Sequence, residues 1–146
     1  MHPAEVYTAP VPHGPRAYRR QIRRLGPILG LLPPAGLGLL SLVLLRSNTS
    51  TARGVLGFLA AVLAAPGLLV AGAPMASGFG RYLAATVGSA AVWLLLGAMA
   101  ARRATRTPVA SWGDFWKEFG WMAGAVWLGA IGALVAANLI LGGAFL

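Results

Sequence analysis

The sequence predicts an all-α integral membrane protein, a small bundle of four transmembrane helices with a short interfacial amphipathic helix before the last span. Of the 146 residues, 58% are apolar and only 10% are charged, whereas soluble proteins carry about 25% charged residues. Four uncharged stretches have the length of the ~20 helical residues that cross a bilayer. We place these spans, segments one to four, at residues 25–45, 54–73, 82–101 and 119–141.

A proline-rich arm, residues 1–15, precedes the single predicted membrane domain, residues 16–146. The arm contains Pro3, Pro10, Pro12 and Pro15 but few bulky apolar side chains. It therefore buries too little surface to offset the entropy lost on ordering. We expect this arm to be disordered.

Basic residues flank the uncharged segments. Five arginines precede segment one, namely Arg16, Arg19, Arg20, Arg23 and Arg24, and three follow segment three, namely Arg102, Arg103 and Arg106. A net charge of +9 would indicate nucleic-acid binding in a soluble chain, but at membrane flanks such residues contact lipid headgroups and set topology. We expect anionic headgroups as partners and no nucleic acid.

Segment one contains Pro33 and Pro34 near its middle. Adjacent prolines remove two backbone donors, which predicts a kink or a break. If all four segments cross, the basic residues divide six and six between the two sides. The alternative is three spans plus a re-entrant hairpin at the two prolines, which leaves only Arg81 on the second side. Segment two carries Pro66-Gly67, while segment three is uninterrupted.

The stretch before segment four predicts a short interfacial helix at about residues 111–118. Ser111 and Asp114 have the spacing of a helix start, in which the serine hydroxyl accepts from a free amide and the acid favours the positive end of the helix dipole. Four aromatic residues then share one helical face: Trp112, Phe115, Trp116 and Phe119. We interpret this face as an anchor at headgroup depth, with docking against a partner as the alternative.

Segment four carries small residues that allow another helix to approach closely. The predicted packing interface comprises Gly120, Gly124, Ala125, Gly129 and Ala133, together with the polar Asn138. Gly120 and Gly124 have the G-x-x-x-G spacing of membrane helix pairs. Two interpretations remain open, packing within this protein's own bundle and contact with a partner or a second copy.

Catalytic and cofactor-binding constellations are missing from the pattern. No segment holds an ionisable residue of the kind that proton-coupled transport uses. His2 and His13 lie in the arm, the acids Glu5, Asp114 and Glu118 are scattered, and there is no cysteine. We therefore expect no enzymatic activity, no metal and no cofactor.

These observations favour a non-catalytic membrane protein, either an accessory or assembly subunit of a larger complex or a homo-oligomer. The alternative is a small transporter or permeability factor that uses uncharged polar groups, namely Ser41, Thr86, Ser89 and Asn138. Arginine outnumbers lysine eleven to one, a bias typical of GC-rich bacterial genomes. The expected location is the bacterial cytoplasmic membrane, as a multi-pass protein.

Overall fold

The computed structural model describes residues 15–46, 50–72 and 78–140. Within these ranges the chain is helical apart from turns and short loops. The helices are α1 Pro15–Leu29, α2 Leu32–Arg46, α3 Thr51–Ala64, α4 Gly67–Val70, α5 Phe79–Ala104 and α6 Trp112–Ile140. The predicted disordered arm lies, except for Pro15, outside the described residues.

Three helical stretches are long and apolar enough to cross a membrane. They are Arg16–Arg46, Phe79–Ala104 and Trp112–Ile140, with 31, 26 and 29 residues. The prediction of an all-helical chain with helices of membrane-spanning length is therefore confirmed for the described residues. Segment two differs, because it forms the 14-residue α3 and the four-residue α4, separated at Ala65 and Pro66.

Segment one is interrupted between α1 and α2, slightly before the prolines. The amide of Leu31 bonds to the carbonyl of Ile28 at 3.0 Å, a tight turn. Pro33 and Pro34 then occupy the first turn of α2, where an amide hydrogen has no intrahelical partner. The two halves have different neighbours, since α1 packs against α5 and α2 packs against α3.

Glycines bring the backbones of α1 and α5 into contact. A Cβ atom on Gly30 would lie 2.9 Å from Cα of Gly97, and one on Gly97 would lie 2.7 Å from the carbonyl oxygen of Gly26. Gly26 and Gly30 have the G-x-x-x-G spacing that permits such an approach. This pair of glycines, in the first apolar segment, allows α1 to contact the backbone of α5 within the chain.

The main core lies where α1, α5 and α6 meet. It contains the buried side chains of Ile22, Trp93, Phe115 and Phe119, with buried alanines of α5 between them. A second, smaller cluster joins Val62 of α3 to Ala130 and Leu134 of α6.

Contacts with α2 give the direction of α3. A Cβ atom on Gly38 would lie 3.8 Å from Ala64, and one on Gly57 would lie 2.9 Å from Leu45. Because residue numbers on α3 fall as those on α2 rise, α3 runs antiparallel to α2.

The start of α6 agrees with the sequence pattern. Ser111 Oγ accepts from the Asp114 amide at 3.2 Å, and the Asp114 carboxylate accepts from the Ser111 amide at 3.0 Å. This reciprocal pair satisfies two amides that a helix start leaves free. The predicted helix at 111–118 forms the first turns of the continuous α6.

Candidate functional site

The break between α3 and α4 leaves the last carbonyls of α3 without intrahelical donors. Two tryptophan side chains supply the missing donors. Trp93 Nε1 donates to the Ala64 carbonyl at 2.8 Å, and Trp127 Nε1 donates to the Leu63 carbonyl at 3.1 Å. An indole N–H that reaches a carbonyl removes the cost of burying both groups unpaired. Trp93 itself is only 1% exposed.

The other side of the break is held by Ser89 of α5. Its hydroxyl accepts from the Gly67 amide at 2.9 Å and donates to the Ala85 carbonyl at 2.7 Å. A Cβ atom on Gly67 would lie 2.8 Å from both Ser89 Oγ and the Ala85 carbonyl oxygen. The close approach of α4 to α5 therefore requires glycine at this position.

A cavity of about 450 Å³ lies beside this break, between α2, α3, α4 and α5. Its walls are almost entirely apolar and include Pro34, Gly38, Ser41, Ala61, Ala90 and Trp93. The Ser41 hydroxyl is buried and donates to the Gly57 carbonyl at 2.8 Å. The volume is within the range of small-molecule sites, about 300–1,000 Å³.

The two groups of predicted headgroup-contacting arginines meet at one end of the molecule. Arg19 Nη2 donates to the Thr105 carbonyl and Arg23 Nε donates to the Thr105 hydroxyl, each at 3.0 Å. Thr105 is fully buried and follows directly after α5. Arg103 forms an ion pair with Glu118 of α6 at 3.3 Å.

We call this region the basic end. It also carries five arginines whose side chains are exposed: Arg16, Arg20, Arg24, Arg102 and Arg106. Their charge is available to anionic groups in the surroundings.

The predicted aromatic anchor is divided by the fold. Phe115 and Phe119 are buried in the core, where Phe115 stacks on Phe119 with ring centroids 6.0 Å apart. Trp116 is 39% exposed, and Trp112 is half-buried. Since a buried ring cannot reach headgroups, the anchor role applies only to the two tryptophans, for which it stays a prediction.

The predicted small-residue interface of α6 does not lie on one face. Gly120 and Gly129 are nine residues apart, which is two and a half turns at 3.6 residues per turn, so they point to opposite sides. Ala125 and Gly129 instead share a face with Gly132 and Ala136, and all four are exposed. We call these four residues the α6 patch. Asn138, at the far end of α6, is half-buried.

Four glycines of α6 meet no neighbour among the described residues. Cβ atoms built on Gly120, Gly124, Gly129 and Gly132 would meet no described atom within 4 Å. Packing of these glycines within the protein's own bundle is therefore not seen among the described residues.

Sequence reasoning did not find the roles of Trp93, Trp127 and Gly67. The sequence feature that points to these roles is Pro66-Gly67 inside an apolar segment. A helix break there leaves backbone carbonyls that need hydrogen-bond donors from elsewhere in the chain. Among the described residues, no group of three or more His, Asp or Glu side chains lies close enough to hold a metal ion. Comparison with protein-family models, curated proteins and solved structures finds no match to this chain.

Proposed function

We propose that this chain is a non-catalytic multi-pass membrane protein that works by associating with other membrane helices. It acts either as an accessory or assembly subunit of a larger complex or as a homo-oligomer. The contrast between two sets of glycines carries this proposal. Gly26, Gly30 and Gly97 are used for backbone contact inside the chain. By contrast, the four α6 glycines from Gly120 onward meet no described atom.

The α6 patch is suited to the same kind of contact. Without a hydrophobic driving force between helices in lipid, close backbone approach is a main source of association energy. Most of the apolar surface of the bundle also faces outward, since only 17–22% of the residues in the apolar stretches of the three candidate spans are buried. This surface is available to lipid and to partner helices.

Replacement of Gly129 by Ile tests the proposal. The branched side chain prevents a partner backbone from approaching, so complex size on a native gel in mild detergent should fall while membrane insertion persists. Gly36→Ile is the matched control, because Gly36 of α2 also faces open space but lies outside the patch. Unchanged complex size in Gly129→Ile, or the same loss in Gly36→Ile, contradicts association through the patch.

The proposal includes a topology of three crossings plus a re-entrant α3–α4 pair. The first crossing consists of α1 and α2 together, the second is α5 and the third is α6. Helix α3 enters from the end opposite the basic end and stops where the indoles of Trp93 and Trp127 bond to its last carbonyls. At 14 residues α3 is about 21 Å long, shorter than the ~30 Å hydrocarbon core. The caps on its carbonyls support this arrangement, because irregular backbone at membrane depth must be covered by protein.

The distribution of charge supports this topology over four full crossings. Four crossings place Arg16–Arg24 and Arg102–Arg106 on opposite sides, yet Arg19 and Arg23 bond to Thr105. With α3 and α4 re-entrant, nine basic residues lie at the basic end and only Arg46, Arg53 and Arg81 lie opposite. By the positive-inside rule the basic end is then cytoplasmic. Together with the arginine bias, this favours the bacterial cytoplasmic membrane.

A small transporter or permeability factor is the second candidate. The broken helix favours it, since discontinuous helices at the bilayer midplane form binding sites in many transporters. Against it, the neighbouring cavity is apolar and its hydroxyls are already paired. Solute flux through proteoliposomes that contain only this chain would support transport, and co-purification with other subunits without flux would support association.

A further inference from the structure

The cavity beside the helix break offers almost nothing polar to a ligand. The Ser41 hydroxyl donates to Gly57 and the Thr86 hydroxyl donates to Tyr82, each at 2.8 Å. The Ala64 carbonyl accepts from Trp93. Because burying an unpaired polar group costs free energy, a ligand that needs hydrogen bonds is disfavoured here. The apolar walls of the cavity therefore favour a hydrocarbon ligand.

The size of the cavity narrows the choice further. A helix about 10 Å across occupies roughly 400 Å³ per turn, so the cavity of about 450 Å³ holds little more than one turn. An inserted helix would leave most of its length outside. A single flexible acyl chain, by contrast, adapts to an irregular apolar space and is the most abundant apolar molecule at this depth.

A positive charge lies at the outer side of the cavity. Arg46 follows Leu42, a wall residue, by four positions, so it lies one turn further along the same face of α2. Its side chain is exposed, and it ends the helix at the side opposite the basic end. A phosphate held by Arg46 would leave its acyl chain directed along α2 toward Trp93.

The geometry points to a lipid site: the cavity between α2, α3, α4 and α5 binds one acyl chain of an anionic phospholipid, whose phosphate pairs with Arg46. Because lipid tails are as apolar as the cavity walls, retention of this lipid comes from the packing of its chain in the cavity and from the contact between its phosphate and Arg46. The site is independent of the proposed association through α6, because α6 contributes no wall residue among the described residues that line the cavity.

Labelling by a photoreactive lipid tests the site. The full chain is reconstituted in vesicles of phosphatidylcholine and phosphatidylglycerol that contain phosphatidylglycerol with a diazirine midway along one chain. Labelled residues are mapped by mass spectrometry. We expect labelling at the cavity walls, near Gly38 and Ala90, in excess of that at exposed Gly36.

Gly38→Leu fills the cavity, and Gly36→Leu is the matched control two residues away. A Cβ atom on Gly38 would lie 3.8 Å from Ala64, whereas one on Gly36 would meet no described atom within 4 Å. Wall labelling should fall several-fold in Gly38→Leu, because the leucine side chain occupies space that the acyl chain needs. It should not change in Gly36→Leu. Equal labelling in both variants overturns the site in favour of ordinary boundary lipid.

Three further variants test the remaining alternatives. Should Gly38→Leu fail to fold, Ala90→Leu fills the cavity from α5, with exposed Ala91→Leu as its control. Because the chain has no cysteine, Gly38→Cys can be treated with a short bismaleimide, and efficient dimer formation would show a second copy in the cavity and overturn the lipid site. Arg46→Gln should lower labelling by phosphatidylglycerol, and unchanged labelling overturns the phosphate contact.

Discussion

At the scale of single residues, glycine has two opposite roles in this chain. Gly97 of α5 lies against the backbone of α1, where a Cβ atom would be 2.7 Å from the Gly26 carbonyl oxygen. Nine positions earlier on the same helix, Gly88 faces open space. The same substitution at these two positions should therefore have different effects on the free energy of unfolding.

Gly97→Ala should destabilise the fold by about 1–3 kcal/mol, because α1 must move away from α5 to admit the methyl group. Gly88→Ala should be neutral or should stabilise by up to about 1 kcal/mol, since alanine is the better helix former. Unfolding by sodium dodecyl sulfate in mixed micelles measures both. Equal stability of the two variants would show that α1 and α5 are not in backbone contact.

At the scale of elements, the short α3 depends on donors from α5 and α6. Trp127→Phe keeps an aromatic ring but removes the N–H that reaches the Leu63 carbonyl. An unsatisfied buried carbonyl costs about 1–3 kcal/mol, so amides in the last turn of α3 should exchange hydrogen faster. Trp121→Phe is the control, because Trp121 lies on the same helix and is 77% exposed. Unaltered exchange in Trp127→Phe would mean that the indole does not hold the break.

The helices themselves were largely predictable from the sequence, and their partners were not. Uncharged stretches and the Ser111–Asp114 spacing predicted helical segments and the start of α6, because both signals are local. The uncharged pattern predicts segment two as one span, whereas Pro66 divides it into α3 and α4. The aromatic pattern predicts an interfacial face on α6, whereas Phe115 and Phe119 pack in the core. A helical face shows what is apolar, and only the tertiary fold decides what covers it.

At the scale of the whole molecule, three single-cysteine variants decide the topology. Ala52, Gly80 and Thr107 are all exposed in the structure. With α3 and α4 re-entrant, cysteines at 52 and 80 should react with an impermeant maleimide from one side of the membrane, and a cysteine at 107 from the other. Four full crossings, or a hairpin at Pro33-Pro34, instead place 52 with 107 and leave 80 opposite. Either of those patterns would contradict the proposed topology.

The indole caps have a consequence for biosynthesis. Both Trp93 and Trp127 follow α3 in the chain. When residues 51–72 have just emerged from the ribosome, the indole N–H groups that donate to the carbonyls of Leu63 and Ala64 have therefore not yet been synthesised. We therefore expect this stretch to reach its final placement only after the last helix has been translated. A nascent chain truncated ahead of Trp127 should hold residues 51–72 in a different, less protected position than the finished protein does.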